Sequence, residues 1–222
     1  MIVLGLTGSI GMGKSTAARM LKRLGVPVHD SDATVHRLLG RGGAAVPPIE
    51  RQFPGTVRDG AVDRQALGAV VFRDAQALRR LEGILHPLVQ RSQRRFLGLC
   101  AARRIPVAVL DIPLLFETGG ERRVDAVVCV TAPPAIQRAR VLARPGMTVE
   151  KLAGILRRQM PDREKRSRAD FVVETGLGRA HSLRALAGIV RLVTGRRSRV
   201  WPPRRYSPVT VKHPHARNRP RH

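Results

Sequence analysis

The chain has 222 residues, 43% of them apolar, which suits one α/β domain with small inserted parts. Aromatic residues make up only 3%, so the core must be aliphatic, and the formal net charge of +25 raises a nucleic-acid reading alongside that of a site for several phosphates. No apolar run approaches the ~20 residues of a membrane span, two distant cysteines (Cys100, Cys129) give neither metal-site spacing nor a disulfide framework, and Met1 leads straight into an apolar strand without room for a signal peptide; the cytoplasm is the expected compartment.

Ile2 to Thr7 is a short apolar run that reads as a buried parallel strand. Gly8-x-x-x-x-Gly13-Lys14-Ser15 follows, the phosphate-loop pattern. Ala17, Leu21 and Leu24 then fall at helical spacing, so strand, glycine loop and amphipathic helix come in the order that phosphate binding needs. Backbone N–H groups of Gly11, Met12, Gly13, Lys14, Ser15 and Thr16 would cradle ATP at the positive end of the helix dipole. Lys14 would reach the β- and γ-phosphates, and the Ser15 hydroxyl would take Mg²⁺.

Val26 to Asp30 reads as a second strand, ending in Asp30-Ser31-Asp32 at the sheet edge where open α/β folds bind ligands. Asp32 is the candidate to accept or orient the proton of an acceptor hydroxyl; the alternative is an N-cap for the helix through Val35 and Leu39. Residues 40 to 100 read as an all-helical insertion, with N-caps at Asp63 and Asp74 and a kink or break at His86-Pro87. His86 is either a donor to the acceptor's phosphate or ribose, or a packed helix-end residue.

Pro106 to Asp111 is a buried strand ending in an acid, which suits either support of Mg²⁺ or a strand-end turn. Ile112 to Glu117 adds an apolar wall closed by a carboxylate at the same edge. Val124 to Val130 gives a fourth strand. In the helix after Pro133-Pro134, Gln137, Arg140 and Arg144 share one face, and Ile136, Ala139 and Ala143 are expected to take the core-facing side. The arginines suit either a lid that neutralises the transferring phosphoryl group or a solvated basic face. Thr148 caps a further helix, Phe171 to Val173 forms a fifth strand, and Leu183, Leu186 and Val190 line a closing helix. Residues 196 to 222 hold nine Lys or Arg and no acid, so they read as a disordered basic tail. The predicted architecture is a phosphate-loop α/β fold: a parallel sheet of about five strands, core 1–36 and 101–195, helical acceptor insertion about 37–100, and a small lid about 140–160.

Taken together, these segments resemble the dephospho-coenzyme A kinases. The resemblance is carried by Leu6 to Thr16, Asp30-Ser31-Asp32, Asp59 to Arg64, Leu81 to Pro87, Asp111 to Glu117 and Gln137 to Arg140, with later echoes at Gln159 and Ala169-Asp170. It covers about residues 1 to 190 in order. Ser9 and Met12 stand where the family has glycine and serine, and Glu174-Thr175-Gly176 stands where it often has asparagine. The family transfers the γ-phosphate of ATP to the ribose 3′-hydroxyl of dephospho-coenzyme A, the last step of coenzyme A synthesis. The resemblance implies Asp32 as the catalytic carboxylate, with Lys14 and Arg140 beside it. It puts His86, Asp111, Leu114 and Glu117 on the acceptor side; Arg144, as the second lid arginine, is a candidate for the nucleotide, and Thr7 a further candidate for the acceptor. Mg²⁺ would sit at Ser15 and Asp111. Two alternatives remain at this level: a nucleoside or nucleotide monophosphate kinase, and a nucleic-acid-binding NTPase. The scarcity of aromatic stacking residues argues against a specialised single-strand binder, leaving non-specific contact by the tail as the nucleic-acid role.

Overall fold

A computed structural model describes residues 1–72 and 74–202. The chain runs β1 (Ile2–Thr7), α1 (Lys14–Arg23), β2 (Val28–Asp30), α2 (Ser31–Leu39), α3 (Val46–Gln52), β3 (Val57–Arg58), β4 (Ala61–Val62), α4 (Arg64–Val71) and α5 (Ala75–Ala102). It continues with β5 (Val107–Asp111), β6 (Ala126–Thr131), α6 (Pro134–Leu142), α7 (Val149–Arg158), α8 (Asp162–Arg168), β7 (Phe171–Glu174) and α9 (Arg179–Val193). Five strands form one parallel sheet in the order β2-β5-β1-β6-β7, with Leu4 opposite Val109 on one side and Ala126 on the other.

All six residues of β1 are buried, because helices cover both faces of the sheet. Alternate side chains divide between two cores. Leu4 and Leu6 join Val109, Val128 and Val130 beneath α1 and α9, while Val3 joins Ala108, Leu110 and Val127 beneath the second half of α5. A third core belongs to the insertion, where Leu39, Ile49, Phe53, Leu67 and Leu81 pack together.

The insertion is not all helical: β3 and β4 pair as a small antiparallel hairpin, with Val57 opposite Val62. Nor does His86-Pro87 break the helix. α5 runs through Pro87 for 28 residues, about 42 Å at 1.5 Å per residue. Its first half packs into the core of the insertion through Ala77 and Leu81, and its second half into the sheet core through Leu97 and Cys100. Packing at both ends offsets the one hydrogen bond that proline removes.

The expectation of a disordered segment from residue 196 does not hold for its first seven residues. Val200 and Trp201 pack against the core beneath α5. Asp125 gathers this segment: its carboxylate accepts from Ser198 Oγ at 2.8 Å, Arg199 N at 2.6 Å and Val200 N at 3.3 Å. The same carboxylate accepts from Val3 N at 2.8 Å, at the start of the central strand. The short strap thus meets a carboxylate already held by the sheet, which the local composition could not reveal. Residues 203–222 of the expected tail lie outside the described residues. Asp125→Ala leaves the Val3 N–H without its acceptor and releases the strap; it is expected to cost about 2 kcal/mol, read as a lowered midpoint in urea unfolding.

Candidate active site

The loop between β1 and α1 takes its shape from positions where a side chain does not fit. Gly11 has φ +77°, and a Cβ there would lie 2.5 Å from Val141 Cγ2 on α6. Gly13 has φ +89° and would press a Cβ to 3.0 Å from Thr175 Oγ1. Within the loop, Met12 N donates to Ser9 O at 3.1 Å, and Thr16 N and Ala17 N both donate to Gly13 O at 3.0 Å. The N–H groups of Gly11, Gly13, Lys14 and Ser15 have no protein acceptor among the described residues. Four main-chain donors at a helix start form an anion cradle.

These donors open into a cavity of about 610 Å³ at the carboxyl ends of the strands. Lys14, Arg140, Arg144 and Arg179 bring four cations to its wall, and among the described residues Asp32 is the only carboxylate there. A second cavity, about 530 Å³, lies between α2, α5 and the segment after β5. Its wall is apolar at Val35, Leu85, Val89, Ile112 and Leu114, and carries His86 and Arg123 as basic groups. Burial pulls the Arg123 guanidinium below its usual range. Asp32, Pro113 and Gln159 line both cavities, so the two meet there.

The local reason that Asp32 is available lies two residues upstream. Asp30, not Asp32, caps α2: its Oδ1 accepts from Ala33 N at 2.8 Å. Asp32 therefore projects from the first turn of α2, exposed and without a protein partner among the described residues. Asp111, at the end of the neighbouring strand, is 4% exposed and pairs with Lys14 through Oδ1 at 2.7 Å. Burial holds the Asp111 carboxyl above its ordinary range; Lys14 opposes this, and Asp30 and Asp32 add to it.

Arg140 is braced rather than solvated. Its Nη1 and Nη2 donate to Thr175 Oγ1 and Thr175 O, each at 2.9 Å. Thr175 Oγ1 in turn donates to Met12 O at 2.8 Å, so one hydroxyl links the arginine to the phosphate loop. Thr175 was not singled out from the sequence, although it lies in the departure Glu174-Thr175-Gly176; a lone threonine after a strand carries no pattern of its own. The orientation expected for α6 holds only for Ile136, which packs against the core beneath the sheet. Gln137 and Val141 are buried, while Ala139 and Ala143 face out. Gln137 Nε2 donates to Ile10 O at 2.8 Å, so the polar side of the helix turns inward to serve the loop.

Asp111 lines neither cavity and reaches the first only through Lys14; three further residues expected at the site lie elsewhere or act differently. Glu117 lines neither cavity. Its Oε1 holds the fully buried Lys165 Nζ at 2.7 Å and accepts from Met160 N at 2.9 Å, tying α8 to the segment after β5. Thr7 is fully buried, and its hydroxyl donates to Pro113 O at 3.0 Å, which positions a residue shared by both cavities. Met12 is buried under the loop, its Sδ accepting from Ala132 N at 3.1 Å. His86 and Leu114 line the second cavity, while Gly11, Gly13, Lys14, Ser15, Thr16 and Arg144 line the first.

Among the described residues, no three of His, Cys, Asp or Glu form a cluster that could hold a metal ion. The donor set of one hydroxyl and one buried carboxylate fits Mg²⁺, which keeps waters and phosphate oxygens as most of its ligands. Among the described residues, no helix is long and apolar enough to cross a membrane.

Comparison with known proteins follows this geometry. Residues 2–178 match the family model described as Dephospho-CoA kinase. The dephospho-CoA kinase of Mesorhizobium japonicum is 58% identical over 197 residues, covering 89% of this chain and 99% of that protein. That of Paramagnetospirillum magneticum is 60% identical over 197 residues, with 89% and 93% covered. Among solved structures, TT1252 from Thermus thermophilus superposes with a TM-score of 0.78 at 39% identity, over 87% of this chain and 98% of that one. The dephospho-CoA kinase from Campylobacter jejuni shares the fold, with a TM-score of 0.58 at 21% identity, over 86% and 97%. A glycine cradle opening on a cationic cavity, a second apolar cavity meeting it at an aspartate, and a family match spanning most of the chain lead to one conclusion: the chain belongs to the dephospho-CoA kinase family.

Proposed function

We propose that this protein phosphorylates the ribose 3′-hydroxyl of dephospho-coenzyme A with ATP, and that transfer takes place beside Asp32. The observation that carries the placement is that Asp32 lines both cavities, one cationic and one largely apolar. The cationic cavity takes the triphosphate. Gly11, Gly13, Lys14 and Ser15 bind phosphate oxygens through their main-chain N–H groups, and Lys14 exchanges Asp111 for the β- and γ-phosphates. Arg140 and Arg144 neutralise charge that spreads over the phosphoryl oxygens during transfer. The apolar cavity takes dephospho-coenzyme A, with His86 and Arg123 as partners for its phosphates. Asp32 accepts the proton of the ribose hydroxyl as its oxygen forms a bond to the γ-phosphorus and the bond to ADP breaks. Bound Mg²⁺, held by Ser15 and by Asp111 directly or through water, would supply further neutralisation of the β- and γ-phosphates. Both substrates are soluble, and the cytoplasm is the compartment that fits them.

One assay tests the proposal. ADP release is measured with ATP, Mg²⁺ and a panel of acceptors: dephospho-coenzyme A, adenosine, AMP, CMP and UMP. Dephospho-coenzyme A is expected to be preferred by at least 100-fold in kcat/KM, about 2.7 kcal/mol. A nucleotide monophosphate used equally well overturns the proposal and favours a monophosphate kinase.

A further inference from the structure

Ile10 sits in the middle of the phosphate loop, and two glutamines hold it from opposite directions. Gln137 Nε2 donates to Ile10 O at 2.8 Å, and Gln159 Oε1 accepts from Ile10 N at 3.1 Å. The chemistry assigns the atoms without ambiguity: a main-chain N–H can only donate, so the Gln159 atom facing it is oxygen. The Gln159 NH₂ is therefore turned away from Ile10 N, and it has no protein acceptor among the described residues. Gln159 is half-buried, directly after α7, and it is one of the three residues that line both cavities.

The geometry points to Gln159 as a catalytic residue whose side-chain NH₂ donates to the phosphoryl group as it passes between the cavities. This rests on the transfer site proposed above. Its other two neighbours at the junction cannot fill this role, since Asp32 is an acceptor and Pro113 has no N–H. A neutral donor at this point adds no charge to the wall, and it has no counter-ion to give up. Its oxygen is already bound to the loop, so the donor is fixed before substrates arrive. Preorganised donors of this kind act on charge that develops in the transition state more than on bound substrate. The bland alternative is a tether: Gln159 serves only to hold Ile10 N, and its NH₂ faces solvent.

Two variants separate the readings. Gln159→Glu keeps an oxygen for Ile10 N and removes the NH₂; Gln159→Met removes both without adding charge. ATP dissociation constants without acceptor, steady-state kcat and KM for dephospho-coenzyme A, and thermal midpoints are measured for each. The expected result is a fall in kcat of about 100-fold in both variants, with ATP affinity in Gln159→Met within about threefold of the parent and thermal midpoints unchanged. Parental kcat in either variant overturns the assignment. So does a Gln159→Met defect that appears wholly as weakened ATP binding or a lowered midpoint, because that is the signature of a tether. Loss of the transfer site itself reads differently: the unmodified protein would then fail to use dephospho-coenzyme A.

Discussion

Asp32→Asn is expected to lower kcat by about 10³-fold while leaving the ATP dissociation constant within about threefold of the parent. The substitution keeps shape and removes only the ability to take a proton and the negative charge. Asp32 makes no cap hydrogen bond, since Asp30 holds Ala33 N, so α2 should keep its start. The cradle is built from main-chain N–H groups and from Lys14, which the change does not touch. Loss of the Asp32 carboxylate from the wall of the cationic cavity reduces repulsion of the triphosphate, so ATP should bind slightly more tightly, if it changes at all. Isothermal titration with ATP and steady-state ADP release measure the two quantities. A variant with parental kcat removes Asp32 from the proton path; one with normal chemistry but poor ATP binding makes it a structural support of the loop.

Lys14→Ala is expected to reduce kcat/KM by at least 10³-fold and to lower stability by about 2 kcal/mol. The two losses have separate causes. Catalysis loses the cation that meets the β- and γ-phosphates. Stability falls because Asp111, 4% exposed, keeps its charge with no partner at 2.7 Å. With Lys14 absent, burial and the charges of Asp30 and Asp32 push the Asp111 carboxyl up unopposed. A carboxyl raised in the folded state binds protons more tightly there than when unfolded, so the variant loses stability as pH rises through that range. The gap to the parent should be widest near neutral pH and should narrow toward acid. The double variant Lys14→Ala with Asp111→Asn removes the orphan charge. It should regain most of the stability and none of the catalysis. Urea unfolding at several pH values, beside ADP release, separates these effects. A single variant that is as stable at pH 7 as the parent refutes the electrostatic account of the pair.

Arg158, the last residue of α7, lies with its guanidinium 5.1 Å from the centre of the Phe72 ring, just past α4. Phe72 is 69% exposed. The segment after α6 and the insertion therefore touch, as they also do in the second cavity, where Gln159 joins Leu85, His86 and Val89 of α5.

Much of the site was legible from residue order. The phosphate loop could be read because its requirements are local: an apolar strand, glycines at fixed intervals, and a helix start within fifteen residues. The strands ending at Asp30 and Asp111 were legible for the same reason, since an apolar run closed by an acid marks a strand end at one edge of the sheet. Asp63 and Asp74 could be read as caps, and each accepts from N–H groups of the helix it precedes. The misreading of α6 has a physical source. Apolar periodicity reports which side of a helix is poor in polar groups. It does not distinguish a polar face turned to water from one turned to a polar loop. Hence α6 was read with Ala139 and Ala143 inward, whereas Gln137 faces Ile10. Glu117 was placed on the acceptor side by the family resemblance of the Asp111-to-Glu117 stretch. Its partner, Lys165, is on a helix that comes later in the chain.

Residue order alone thus determined the phosphate loop and the buried strands that end in an acid, because each is marked by a short local pattern, whereas the sheet itself joins strands as far apart as Ile2 and Val107. The tertiary structure alone decided which carboxylates are spent on internal partners and which remain free, and it brought Gln159 to Ile10 across 149 positions of chain. Such pairings depend on how helices dock, and docking is set by the summed burial of many side chains rather than by any short stretch.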